Sequence, residues 1–134
     1  MAFFHGKGTV VNVDGNDLSA FTSSSEFDQS ADTHDVTAYG DDNRAYIAGL
    51  IDGTFSMEGH YDDGAAGPRA ILQPLLGAAA VTVLRQPEGV GTGLAQDSFS
   101  GVLTSYNESA PVDDKISWSA EFQISGAVTS TDQI

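Results

Sequence analysis

The chain has 134 residues, enough for one domain with its own core and too few for a second. It contains no cysteine, which excludes disulfides, cysteine-ligated zinc, thiol nucleophiles and iron–sulfur clusters. Nineteen acids face five lysines and arginines, a formal net charge of −14 that disfavours binding to nucleic acid or anionic membranes through a basic patch.

Apolar residues make up 40% of the chain, so a packed core is expected and general disorder is not. The opening Met1-Ala2-Phe3-Phe4-His5-Gly6-Lys7 lacks the apolar run of a signal peptide, and no stretch is long enough to span a bilayer. No secretion and no membrane anchor are therefore expected. Asp far outnumbers Glu, and Asp favours turns where Glu favours helices.

In chain order, residues 9–13 are β-branched and end at Asp14-Gly15, a good turn dipeptide. Residues 24–29 and 33–38 carry moderate strand character. Residues 40–51 are predicted as a long inter-strand loop bearing Tyr46, Ile47, Leu50 and Ile51. A loop this long with apolar side chains needs a cover, from its own domain or a neighbouring subunit. Residues 54–61 alternate, with Phe55, Met57 and Tyr61 on one face and Thr54, Ser56, Glu58 and His60 on the other. A short helix is predicted near 67–77, with Pro68 in its first turn, Gly77 as its cap and a kink or shortening at Pro74. Its Ile71, Leu72, Leu75 and Leu76 read as a packing stripe across one sheet. Residues 81–84 form a short apolar strand, and 87–93 a flexible glycine-rich connector. Residues 99–107 and 116–125 are predicted to pair as a long antiparallel ribbon turned by Asp113-Asp114 after Pro111. In the second of these, Ile116, Trp118, Ala120, Phe122 and Ile124 alternate with Ser117, Ser119, Glu121, Gln123 and Ser125; Trp118 is read as core. The fold class is mostly β, an antiparallel sandwich or half-barrel with one short helix, in a single domain over 1–134.

Catalytic and metal signatures are missing. His5, His34 and His60 stand in separate segments, and neither Asp32-Thr33-His34-Asp35 nor His60-Tyr61-Asp62-Asp63 has a recognised metal spacing. Asp14-Gly15-Asn16-Asp17 begins like a calcium loop but has Leu18 where an oxygen ligand should follow. Gly89, Gly91 and Gly93 precede no lysine and open no helix, so they form no phosphate cradle. No enzyme and no cofactor are expected.

Four stretches together resemble the major tail, or tail-tube, proteins of long-tailed phages, particularly those of actinobacterial hosts. They are Asn16-Asp17-Leu18-Ser19-Ala20-Phe21-Thr22, the passage from Ser30 to Gly40, the run from Gly53 to Asp62, and the end from Ser109 to Ala120. The likeness extends over nearly the whole chain, although each motif alone is a common turn or alternating strand. The resemblance implies hexameric rings that stack into a tube, with long strands from each subunit lining a continuous inner barrel. It also implies a virion tail protein made in the host cytoplasm, with tape-measure, terminator and distal-tail proteins as further partners. DNA would pass through during ejection without specific binding.

Three features of the residues agree with that picture: the clean alternation at 116–125, the apolar loop at 40–51, and the acidity. Glu58 and Glu121, on the polar faces of long strands, are the expected lumen-facing acids. Tyr39, Arg44, Tyr46, Ile47 and Leu50 are the expected inter-ring contacts. A related inner-tube protein of an injection machine or gene-transfer particle would share these features. The alternative from another class is a ligand-binding β-sandwich, a carbohydrate or adhesin module using Tyr39, Asn43 and Tyr46.

Overall fold

In the computed structural model, residues 5–133 are described; residues 1–4, part of the segment read for a signal peptide, lie outside them. Strand β1 (Val10–Val13) ends where Asp14 and Gly15 take positive φ angles of 51° and 81°, which a two-residue hairpin turn requires. The chain reverses into β2 (Asn16–Asp17), and Asp17 Oδ1 accepts from the Ser19 N–H at 2.9 Å. The acids that mimic a calcium loop are built into this turn.

A 3₁₀ turn at Ser19–Phe21 leads into β3 (Thr22–Asp35). There follow β4 (Tyr46–His60), helix α1 (Pro68–Leu72), β5 (Val81–Gln86), β6 (Ala95–Ser109) and β7 (Ser117–Asp132). All pair antiparallel in one seven-stranded sheet of order β2-β1-β5-β6-β7-β4-β3. The fold is mostly β with one short helix. The predicted ribbon is present and longer than expected, running from Ala95↔Asp132 to Ser109↔Ser117.

The sheet is rolled on itself. Three strands separate β3 from β5, yet the Arg85 guanidinium on β5 lies 5.3 Å from the ring centre of Phe27 on β3. Phe27 in turn stands 5.5 Å from Phe99 on β6. Inside the roll, Phe55, Phe99, Leu103, Trp118, Phe122 and Ile124 are buried with Val11, Val13, Leu18 and Val83. Trp118, Ala120, Phe122 and Ile124 are the inward half of the alternation seen in the sequence.

Arg85, whose cation crosses the roll to Phe27, is fixed by its neighbours. Arg85 Nη1 donates to Asp97 Oδ2 at 2.8 Å, and Asp97 Oδ1 also accepts from Ser130 Oγ at 2.6 Å. This half-buried pair joins β5 to β6 while its cation covers Phe27. Arg85→Ala is expected to destabilise the fold by about 2 kcal/mol, combining a charged hydrogen bond with a cation–π contact. Urea unfolding would measure it, and an unchanged midpoint would show that Asp97 is satisfied by Ser130 alone.

Helix α1 is shorter than predicted. Pro68 does occupy its first turn, but regular hydrogen bonding stops at Leu72 and the chain tightens to a 3₁₀ turn at Gln73–Leu75. Pro74 has no N–H to donate into an α-helix, which accounts for the switch. Gly77, with φ 77°, ends it. Leu72 is fully buried while Ile71 and Leu75 pack at the core's margin. Arg69 Nη1 donates to Glu108 Oε1 at 3.1 Å, and the Tyr106 hydroxyl donates to Glu108 Oε2 at 2.9 Å. Burial and then that hydrogen bond push the Tyr106 hydroxyl well above the usual phenol range.

Three sequence expectations are corrected. Residues 24–29 and 33–38 are not two strands: a single strand, β3, spans the first and reaches Asp35, and 36–38 lie beyond it. The predicted loop at 40–51 ends at residue 45, because Tyr46–Ile51 begins β4. The connector at 87–93 is pinned and not free. Gln133 Nε2 donates to the Gly89 carbonyl at 2.7 Å, its Oε1 accepts from Gly91 N–H at 3.0 Å, and its carbonyl accepts from Gly93 N–H at 2.8 Å.

Candidate functional site

The four long strands β3, β4, β7 and β6 hold ten acidic residues and not one lysine or arginine. Strand alternation sends part of this charge to the side of the sheet opposite the core. There, register aligns Ser24, Glu58, Ser119 and Asn107 in one row across the four strands. The next row is Glu26, Ser56, Glu121 and Ser105. Together they line a shallow hollow of about 250 Å³.

Glu58 and Glu121 thus share one polar face. Each carboxylate has serine, not another acid, as its partner on the adjoining strands, which avoids the penalty of like charges directly opposite. Glu26 belongs to the same face. It lies two strands from Glu121, roughly 9.6 Å at the usual strand spacing, close to the Debye length of about 8 Å at physiological salt. Glu58 is the diagonal neighbour of both Glu26 and Glu121, about 7–8 Å from each, so the three carboxylates form one strongly negative face.

At the other end of the sheet the strands part. Pairing between β4 and β7 runs from His60↔Ser117 to Thr54↔Gln123 and stops there. Gln123 Nε2 pins the fork, donating to Asp52 Oδ1 at 2.7 Å and to the Gly53 carbonyl at 2.9 Å. Gly53 permits the close approach, since a Cβ there would stand 2.7 Å from the Asp28 carbonyl. Beyond the fork β3 and β4 continue as a two-stranded arm, from Ser30↔Asp52 to Asp35↔Tyr46.

This arm carries Tyr46, Ile47, Leu50 and Ile51, all exposed, with Leu50 at 84%. Two-stranded ribbons are marginal alone, and exposed apolar side chains on one mark a contact surface. The fork encloses an open cavity of about 480 Å³ against Ile124 and Val128. Of the four, Leu50 and Ile51 line the cavity, while Tyr46 and Ile47 stand farther out on the arm.

The arm's tip, residues 36–45, is ordered by its own acids. Asp35 Oδ1 accepts from Thr37 N–H at 2.9 Å, Asp41 Oδ2 accepts from Ala38 N–H at 2.7 Å, and Val36 N–H donates to the Ala45 carbonyl at 2.9 Å. Gly40 turns with φ 89°, leaving Tyr39 wholly exposed. The Thr37 hydroxyl and backbone N–H, then Arg44, hold the Asp35 carboxyl below its ordinary range. A depressed carboxyl pKa supports structure at neutral pH and loses that support only as pH falls through the depressed value. Among the described residues, no three His, Asp or Glu side chains gather to hold a metal ion, and no helix is long and apolar enough to cross a membrane.

No family model matches the sequence, and no curated protein matches it. Solved structures do. A chain from the tail of an empty gene transfer agent particle, refined with helical and six-fold symmetry, superposes with a TM-score of 0.80 at 18% identity, covering 96% of this chain and 99% of that one. A chain of the SPP1 tail tube gives 0.79 at 13% identity, over 98% and 81% of the two chains. A chain from the sheath–tube complex of an extracellular contractile injection system gives 0.77 at 14% identity, over 98% and 93%. This chain has the tail-tube fold. At such identities the likeness carries the backbone and not the side chains, so the acids of the polar face and the apolar side chains of the arm are features of this sequence laid on the tail-tube frame.

Proposed function

We propose that this protein is the repeating, non-enzymatic subunit of a virion tail tube, assembled as stacked hexameric rings with an acidic lumen that conducts DNA. The observation that carries the reading is the base-free polar face of the four long strands, set on the tail-tube fold. Glu58, Glu121 and Glu26 face the bore, and the opposite side of the same strands forms each subunit's core. Edge strand β3 is 14 residues long and is paired on one side only among the described residues. Such an edge invites uncontrolled pairing unless a neighbour covers it, and closure of a ring does so. Other partners follow the resemblance: tape-measure, terminator and distal-tail proteins.

Rings require the arm to meet another copy, so Tyr39, Arg44, Tyr46, Ile47, Leu50 and Ile51 become intersubunit contacts. Ile47→Asp puts a charge where an apolar contact would be dehydrated. The variant is expected to keep the parent's thermal midpoint as a monomer and to lose polymerisation, read by sedimentation. A fall in the monomer's midpoint with polymers intact would return the arm to a purely intramolecular role. The reading as a whole is tested by electron microscopy at rising protein concentration. Rings or hollow tubes with six-fold end views support it, and a chain that stays monomeric even when offered preformed tail ends sinks it.

A further inference from the structure

The roll has two mouths, and among the described residues only one is stoppered. At the end where His60 pairs with Ser117, helix α1 closes the opening. Its Leu72 is fully buried, and its Arg69 is held to Glu108 on β6 at 3.1 Å. The opposite mouth is the fork. Its cavity of about 480 Å³ has Leu50, Ile51 and Gly53 of β4 on one wall and Ile124, Gly126 and Val128 of β7 on the other. Ile124 belongs to the core and Val128 packs against it, so the cavity is the outer end of that core, open to water.

Apolar walls left facing water favour any cover that removes them from it. The cover nearest to hand is already at the rim. Leu50 and Ile51 border the cavity and are nonetheless 84% and 73% exposed, so they flank the space without filling it. Across from them Gly126 has no side chain, and nothing lies within 4 Å of where its Cβ would stand, which leaves room to receive one. The arm is also hinged. Gln123 fixes its base through Asp52 and the Gly53 carbonyl, and beyond that point β4 is paired with β3 alone. Just past the base the register shifts between Ala31↔Ile51 and Thr33↔Ala48, so Gly49 and Leu50 together oppose Asp32. A bulge of this kind bends the strand that carries the extra residue.

We propose that the arm is a lid, which in the free subunit bends at this bulge and lays Leu50 across the fork onto Ile124 and Val128. The structure holds the arm open, and the closed form stoppers the second mouth as α1 stoppers the first. Closing removes Leu50 from the arm's exposed surface, so it competes with any contact that uses Leu50, whatever the partner. The lid belongs to the isolated chain, whether or not that chain builds tubes.

The chain lacks cysteine, so a single introduced thiol reports its own exposure. Ala127 is exposed on the β7 wall of the cavity, beneath the closed lid. Val90, 74% exposed in the connector pinned by Gln133, is the reference. Ala127→Cys and Val90→Cys are reacted with an aromatic disulfide reagent, at a dilution where sedimentation gives single subunits. A lid closed most of the time slows Ala127→Cys about tenfold or more relative to Val90→Cys. Adding Leu50→Ser, a neutral change at an exposed position, should return the Ala127→Cys rate to that of the reference. Equal rates with and without Leu50→Ser overturn the lid, whether both are fast, as an open arm gives, or both slow, as fixed burial gives. Neither outcome involves polymer, so a chain that never forms tubes removes the tube reading and leaves the lid standing or falling on these rates.

Discussion

Substituting alanine for Gly59 is expected to lower the unfolding free energy by about 3 kcal/mol or more, overpacking and an unsatisfied indole N–H acting together. Gly59 lies on β4 where the 3₁₀ turn ending at Phe21 passes over the sheet. A Cβ at this position would overlap the Phe21 carbonyl oxygen and stand 2.8 Å from Thr22 Cα, so backbone must move. That same carbonyl accepts from Trp118 Nε1 at 3.2 Å, and Trp118 is the register partner of Gly59 on β7. Displacing it strands the only tryptophan's N–H inside the roll. Gly126→Ala is the control: its φ of 84° strains a side chain, but nothing lies within 4 Å of the added Cβ. It should cost about 1 kcal/mol, the left-handed penalty alone. Urea unfolding followed by Trp118 fluorescence compares the two, and equal small losses would show that the Phe21 turn shifts freely.

What could be read beforehand follows from how burial writes itself into sequence. β7 lies between β6 and β4 and buries one face, so its inward and outward residues differ in kind and the period of two is plain. β3 is an edge strand with little of its length buried, and Ser, Asp, Gln and Thr fill both faces. Without an apolar face it shows no period, so the sequence does not put Glu26 on a polar face as it does Glu58 and Glu121. The start of β4 was hidden differently. Its register against β3 shifts between Ala31 and Thr33, an irregularity that breaks alternation through Gly49 and Leu50. The apolar residues there stand out in the sequence, but not as residues of a strand. Gln133 was invisible because its role is to hold a loop some 40 positions away, at Gly89 and Gly91, and no local pattern encodes that.

If the protein is the tube subunit proposed above, conduction depends on the acidity of the long strands, and reversing it should have the largest functional effect. Glu58→Lys with Glu121→Lys places two cations on each subunit where two anions stood, and ring symmetry repeats the change around the bore. Serines flank both positions across the strands, so longer side chains extend into open space and assembly should proceed. Particles carrying the variant are expected to retain DNA on triggering, because a basic lumen gains attraction from released counterions where the acidic lumen repelled. The effect must weaken with salt. Screening shortens from about 8 Å to about 3 Å between physiological and molar ionic strength, so ejection should recover as salt is raised. Glu58→Gln with Glu121→Gln removes repulsion without adding attraction and should slow ejection far less. Ejection measured by release of nuclease-sensitive DNA distinguishes these cases. Normal release from the double-lysine particles at low salt would mean that the polar face of these strands does not line the path of the DNA.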